Sequence, residues 1–266
     1  MNTDTHVWPA RLLAGRNTLL LSVKNLGFAG GNNLATRLAL ARGAEDVLLL
    51  NNDTTVATDF LEELQLGRLR HPKAVLIPQI RLYHEPERIW NCGGQLIWPG
   101  RKAYNFENAP VALAAGRGEF TVSFVTGCAL LYRPRLTGLL TERFFFGEED
   151  MEFSWRLQKM DVPAICINTS VVYHKVGQTL TSNYRKSEIF TLKRLVNLRI
   201  NLGGFTAFWG YLFYLANLLR LLVVRYRLGP LTAIRRVYRI GRRSLNTEEV
   251  GGDLCVDYVQ GEDHRL

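Results

Sequence analysis

The stretch VLLLNNDTTV, residues 47–56, decides how this chain is read. Four apolar residues, Val47 to Leu50, run without a break into Asn51, Asn52 and Asp53. A short apolar run bounded by turn residues is the pattern of a strand buried in a sheet. In open α/β sheets, ligands bind beyond the carboxyl ends of the strands. Such a strand would aim Asp53 at a binding crevice. One carboxylate plus substrate phosphates is a common way to hold Mg2+ or Mn2+. A turn or a helix N-cap also accounts for Asn and Asp at this place. The segment alone leaves both readings open.

Working outward, TLLLSVK (18–24) reads as a strand. NLGFAGGNNLATRLALARGA (25–44) reads as a Gly-rich turn entering a helix, with Asn32 or Asn33 near its start and Gly43 near its end. On the other side, TDFLEELQLGRLR (58–70) predicts a helix and KAVLIPQI (73–80) a strand. This alternation predicts a sheet of βαβ type covered by helices. Residues 81–120 break the pattern with Pro86, Gly93, Gly94, Pro99, Gly100 and Pro110. EFTVSFVTGCALLYRP (119–134) then resumes strand character. GEEDMEFSWRLQKM (147–160) is helical, with Phe153 and Leu157 on its apolar side, and PAICINTSVVYHKVG (163–177) is a further strand.

The 266 residues are 47% apolar, enough for a full core, and carry a net charge of +9. That excludes a disordered chain and points to an anionic partner. Cys92, Cys128, Cys166 and Cys255 form no CxxC pair, so a reducing cytosol is expected. MNTDTHVWPARLL shows no apolar core of a signal peptide.

Glu148, Glu149, Asp150 and Glu152 crowd one helix start. Local repulsion disfavours such a cluster, although a helix dipole tolerates acids there. The preceding Arg-Phe-Phe-Phe-Gly run would shield the acids and could raise a carboxylate pKa, as a general base needs. His174 ends an apolar strand. A structural role and a metal ligand both fit it.

Taken in order, these segments resemble inverting glycosyltransferases of family 2, with the GT-A fold, in the rhamnosyltransferase-like branch. The matching stretches are NLGFAGGNN (25–33), LLLNNDTTV (48–56), VTGCALLYRPRL (125–136), FFFGEEDMEFSWRL (144–157) and VVYHKVGQT (171–179). The resemblance implies a mixed, mainly parallel sheet. It makes Asn51-Asn52-Asp53 a DxD-type element, with Asp53 and His174 holding a divalent cation, Mg2+ or Mn2+. Asn25, Gly30, Asn33, Asn51 and Asn52 would lie along the nucleotide-sugar donor. Glu149-Asp150 would be the catalytic pair, with Asp150 as general base. Gly127, Cys128, Glu152 and Trp155 would border the sugar and acceptor. The donor implied is dTDP-rhamnose, and the acceptor a saccharide or lipid-linked saccharide for cell-surface polysaccharide. Relatives begin with a strand ending in a TYN-like turn and a second acidic strand. Neither is found before Thr18, which predicts a catalytic domain over 1–184 without its first βαβ portion. A catalytically weak or inactive partner protein is the alternative, and a basic nucleic-acid-binding protein is the less favoured one.

The remainder divides into a helical region, 185–244, and a flexible tail, 245–266. Ile200 to Leu219 holds no charged residue, enough to cross a bilayer. Positive residues flank it on both sides, which gives no orientation for a span. Residues 225–243 hold seven arginines and no acid. The expectation is amphipathic helices lying on an anionic membrane surface. That places the protein in the cytoplasm, peripheral on the inner face of the cell membrane. No nucleic-acid motif accompanies the basic residues, so no nucleic-acid partner is expected. No oligomeric state is implied.

Overall fold

A computed structural model describes residues 22, 24–175, 184–252, 254 and 255. Most of the strand expected over 18–24 lies outside these, as do residues 176–179 of the last motif and with them the end of the strand expected over 163–177. The elements run α1 (Gly27–Ala41), β1 (Val47–Leu50), β2 (Thr54–Val56), α2 (Phe60–Arg70), β3 (Val75–Leu82), β4 (Ile89–Asn91), β5 (Gly94–Ile97), β6 (Arg101–Tyr104), β7 (Glu119–Val122), β8 (Ala129–Tyr132), the single turn α3 (Pro134–Thr137), α4 (Glu149–Lys159), β9 (Ala164–His174), α5 (Tyr184–Asn201), α6 (Gly204–Arg220) and α7 (Pro230–Asn246).

Seven strands form the main sheet, ordered β1-β8-β3-β9-β2, with β4 on β3 and β7 on β9. The α/β class with helices flanking a mixed sheet is as expected. The mainly parallel character is not. Among the described residues only β3 and β9 pair in parallel. β8 lies antiparallel between β1 and β3, so β1 and β3, which share a direction, are not neighbours. The strand character expected over 119–134 resolves into two strands, β7 and β8, with a turn at Gly127 and Cys128 before β8.

Layering follows from side-chain alternation along the strands. Leu76, Ala129 and Leu131 face α2 through Phe60 and Leu64. Val75, Ile77, Leu130 and Tyr132 face the other way, onto Phe153 and Leu157 of α4 and Ala29 of α1. β3 is buried from Val75 through Ile80, as a strand covered on both faces must be. β1 is an edge strand of the described sheet, so only Leu49 is fully buried and Leu50 is exposed. The β3–β9 register breaks after Pro78, which has no N–H to give. Asn168 to Ser170 loop out there, and Asn168 Nδ2 donates to Ala114 O and Arg117 O.

The second face of α4 carries Met151 and Trp155 into a cluster with Ile189, Leu192, Leu195, Val196 and Leu198 of α5. α5 is therefore part of the body, although it falls within the helical region expected to associate with membranes. The expected tail is packed as far as it is described. α7 continues to Asn246, Val250 N–H donates to Arg143 O at 2.7 Å, and Val250 and Cys255 are buried. Its few apolar residues find a place against Phe144.

Candidate active site

β2 pairs antiparallel with the end of β9, and Thr54 stands opposite His174. Lys175 N–H donates to Asp53 O at 3.0 Å. This register, between segments far apart in the chain, sets Asp53 Oδ1 3.2 Å from His174 Nε2. Asp53 Oδ1 and His174 Nδ1 are buried polar atoms without a well-formed hydrogen bond among the described residues. The turn below them is fixed by its backbone: Asn51 N–H donates to Cys128 O at 2.9 Å, and Thr54 Oγ1 donates to Asn51 O. Asn52 is exposed at its tip.

An orphaned carboxylate oxygen beside an imidazole fits a divalent cation. No third His, Cys, Asp or Glu completes a metal cluster among the described residues. Such a cation would need further oxygens from a ligand, the usual situation for Mg2+ bound with substrate phosphates. Cys128 borders the same place. Burial, helped by the Asp53 charge, pushes its thiol up to about 12, so it stays protonated and is no nucleophile.

The second acid group resolves into four different environments. Glu148 precedes α4 with φ of 84° and is buried; its Oε2 accepts from Arg194 Nε at 2.7 Å and Asn197 Nδ2 at 3.0 Å. Burial works against the Arg194 charge, but the Glu148 carboxylate outweighs it and raises the Arg194 pKa. Glu152 is held by Arg156 at 2.9 Å, and Arg156 also donates to the carbonyls of Thr137 and Leu139. Glu149 is buried with Oε2 unpartnered. Burial, and then the Asp150 charge, raise its pKa to about 8. Asp150 accepts Met151 N–H on Oδ1 at 2.8 Å and meets Lys102 Nζ through Oδ2 at 3.2 Å.

A continuous wall joins the two acid groups. The His174 ring lies 4.6 Å from that of Trp90, and Trp90 is 6.0 Å from Tyr104. Lys102 Nζ sits over Tyr104 at 5.1 Å and over Phe124 at 4.0 Å, and it ends on Asp150. A second path runs through the backbone. Val125 N–H donates to Ser154 Oγ of α4 at 3.0 Å, while Cys128 O holds Asn51. Val125 and Cys128 are three residues apart, so these anchor points stand within ~11 Å. Asp53 and Asp150 are thus linked by a run of packed side chains and by one short backbone segment.

The other expected site residues divide. Gly127 lies in the joining turn; a Cβ there would meet the Phe28 ring at 2.9 Å, which places the start of α1 against it. Asn25 opens α1, its Oδ1 accepting Gly27 N–H at 3.0 Å. Gly27 adopts φ of +72° under the Phe145 carbonyl, where no side chain fits. The glycines expected in a turn are otherwise helical, because α1 starts at Gly27. Four expected site residues are placed elsewhere. Asn33 is buried and fully engaged: its Nδ2 donates to Leu140 O and Glu142 Oε1, and its Oδ1 accepts Leu140 N–H. Gly30 is buried in α1 on the same Glu142 side. Neither borders the Asp53 turn. Trp155 is 4% exposed in the α4–α5 core, and Glu152 braces the 137–139 loop, so neither lines an acceptor pocket. Their positions follow from helical period, since 151 and 155 share one face of α4. Lys102, Trp90 and Ser154 were not anticipated. They sit in the loop-rich region or mid-helix, where nothing local marks them.

No family model matches this sequence. An uncharacterized protein of Mycobacterium bovis is 48% identical over 46 residues, covering 17% of this chain and 18% of the relative. Two proteins of Mycobacterium tuberculosis match to the same extent. The match thus spans under a fifth of the length of these curated relatives. Among solved structures, the crystal structure of GalNAc-T7 with UDP, GalNAc and Mn2+ superposes with a TM-score of 0.51 at 12% identity. The superposition covers 72% of this chain and 38% of that one. The likeness shows the fold, which is of the GT-A type.

Proposed function

We propose that this protein is an inverting, cation-assisted glycosyltransferase that moves a sugar from a nucleotide-sugar to a saccharide or lipid-linked saccharide. The observation that carries the reading is the buried Asp53 Oδ1, which accepts no well-formed hydrogen bond and lies 3.2 Å from His174 Nε2, at the far end of the aromatic wall that reaches Asp150. The GT-A fold supports it, since the neighbour of that fold holds UDP, GalNAc and Mn2+.

Asp53 and His174 would hold the cation, and the chemistry it supplies when bound is neutralisation of charge on the departing diphosphate. Asp150 takes the proton of the acceptor hydroxyl as that oxygen attacks the anomeric carbon. Lys102 Nζ and Met151 N–H fix the carboxylate, and each of its oxygens keeps a lone pair for the hydroxyl. Attack opposite the leaving group inverts the centre in one step, with no covalent enzyme intermediate. The Glu149 carboxyl, protonated below about pH 8, spares Asp150 a second negative neighbour. Trp90 and Tyr104 offer an aromatic wall on which a sugar ring can lie.

The donor proposed is dTDP-rhamnose and the product a cell-surface polysaccharide. The place of action is the cytoplasmic face of the membrane. The test is transfer from a panel of nucleotide-sugars, including dTDP-rhamnose, with and without Mn2+, using Asp150→Asn as control. Metal-dependent transfer lost in the variant supports the reading. Donor binding that ignores both Mn2+ and Asp53 removes it.

A further inference from the structure

α6 and α7 lie side by side with a groove of about 570 Å³ between them. Its walls are Leu215 and Leu219 from α6 and Ile234, Val237 and Leu245 from α7. Beside it is a second cavity of about 480 Å³, lined by Thr232, Arg235, Arg236 and Arg239. The two meet at Tyr238, which lines both. One hollow is hydrocarbon in character and its neighbour is cationic. Together they match an amphiphile with an anionic head.

Folding needs do not explain the pattern. α7 contains no acid, and Arg235 and Arg239 stand one turn apart with no ion-pair partner among the described residues. Like charges at that spacing destabilise a helix. Arg236 differs, being paired with Glu188 at 3.1 Å. Exposed apolar residues continue the groove outward. Leu231, Ile234, Tyr238 and Leu245 recur at helical spacing along α7 and are each more than half exposed. On α6, Phe208 and Leu212 extend the line of Leu215 and Leu219 and are also exposed. The segment Gly204–Arg225 is apolar enough to enter a membrane, and only 17% of its most apolar 18-residue stretch is buried in the protein. An apolar stripe bordered directly by arginines is the geometry of a helix lying in a bilayer interface.

We propose that the α6–α7 groove is a binding site for an anionic membrane lipid, with the headgroup phosphate at Arg235 and Arg239 and the hydrocarbon chain along Leu215, Leu219, Ile234 and Val237. The inference deepens the membrane-surface reading above and rests on it for orientation. It does not depend on transferase activity. The lipid enters laterally past Phe208 and Tyr238, and Arg242 at the groove rim adds a second cationic contact. Docking through this face brings the aromatic group Trp98, Phe205 and Trp209 to the same interface, with ring separations of 6.3–6.4 Å.

The experiment is flotation of the full chain with vesicles of phosphatidylcholine alone or mixed with phosphatidylglycerol. Binding is expected to the mixed vesicles, with Arg235→Glu/Arg239→Glu weakening it about tenfold or more. Arg235→Gln/Arg239→Gln should weaken it less, and circular dichroism checks that both variants fold. Gly241 separates a lipid site from simple adsorption. A Cβ there stands 3.5 Å from Leu215 Cδ1, an ordinary contact. Gly241→Ala should therefore bind as the parent does, while Gly241→Leu fills the groove and lowers retention of a brominated or spin-labelled lipid chain. Equal binding to neutral and mixed vesicles, or binding untouched by the arginine changes, overturns the proposal. So does preference for duplex DNA over mixed vesicles. Nucleotide binding at Asp53, measured on the same samples, reports separately on the catalytic reading.

Discussion

The two acid groups of this protein make opposite use of carboxylates. At the end of β1 a single acid, Asp53, is held by strand register beside one histidine and left with an unpartnered oxygen. At the start of α4 four acids crowd together, and the fold assigns each a different state. Glu148 is paired with Arg194, Glu152 with Arg156, Glu149 has its pKa raised by burial, and Asp150 is shared between Met151 N–H and Lys102 beside the Tyr104 and Phe124 rings. Scarcity marks the first site. In the second, the functional group is found by subtraction. The lesson is physical: an acid whose hydrogen-bonding capacity is already filled by a buried cation is scaffolding, whatever motif it stands in.

The contrast can be broken most decisively at Asp150. Asp150→Asn keeps one acceptor oxygen, enough for Met151 N–H, and gives up the charge opposite Lys102, so the fold should survive while turnover falls by roughly 10²–10⁴-fold. Steady-state transfer assays beside a melting curve decide it, and near-normal turnover would return Asp150 to the structural group. Next is Arg194→Met, which strands the buried Glu148 carboxylate and should cost about 3–5 kcal/mol in denaturant unfolding. Adding Glu148→Gln should recover part of that loss; absence of recovery would show that the pair is not what fixes the loop. Asp53→Ala should weaken Mn2+-dependent nucleotide affinity at least tenfold by calorimetry, and His174→Ala in the same direction by less. A change in melting temperature alone would make that pair structural too.

Glu149 supplies the pH-dependent test of the same contrast. Its folded pKa of about 8 lies above the ordinary value of 4.5. Between these limits the native state holds a proton that the unfolded chain has lost. Stability should therefore fall as pH rises through that window, by about 1.4 kcal/mol per unit. Glu149→Gln should flatten the slope. A slope unchanged by the substitution would mean that another group carries the proton.

Much of the fold was legible in the chain. The helices over 60–70 and 149–159 and the strands over 75–82 and 164–174 follow from periodicity and length, and Phe153 and Leu157 face the sheet as their spacing requires. Strand direction was less so. Nothing local in Ala129–Tyr132 says that it inserts antiparallel between two like-directed strands, because pairing partners are chosen by the sheet as a whole. In the site, Asp53, His174 and Asp150 stood out as polar residues placed abruptly after apolar ones. Lys102 did not, since a lysine in a Gly/Pro-rich region carries no pattern until the β5–β6 hairpin folds it over Phe124.

What the amino-acid order determined by itself is where polar groups interrupt apolar runs: Asp53 after a strand, His174 at the end of another, an acid cluster after three phenylalanines, an arginine stripe without acids. Tertiary structure alone decided which of those groups are satisfied. Asn33 found buried partners far along the chain and Glu152 was tied through Arg156 to the 137–139 loop, while Asp53 Oδ1 accepts no well-formed hydrogen bond. Composition and spacing are local quantities, whereas desolvation and hydrogen-bond satisfaction depend on everything packed around an atom, and those two terms separate a brace from a site.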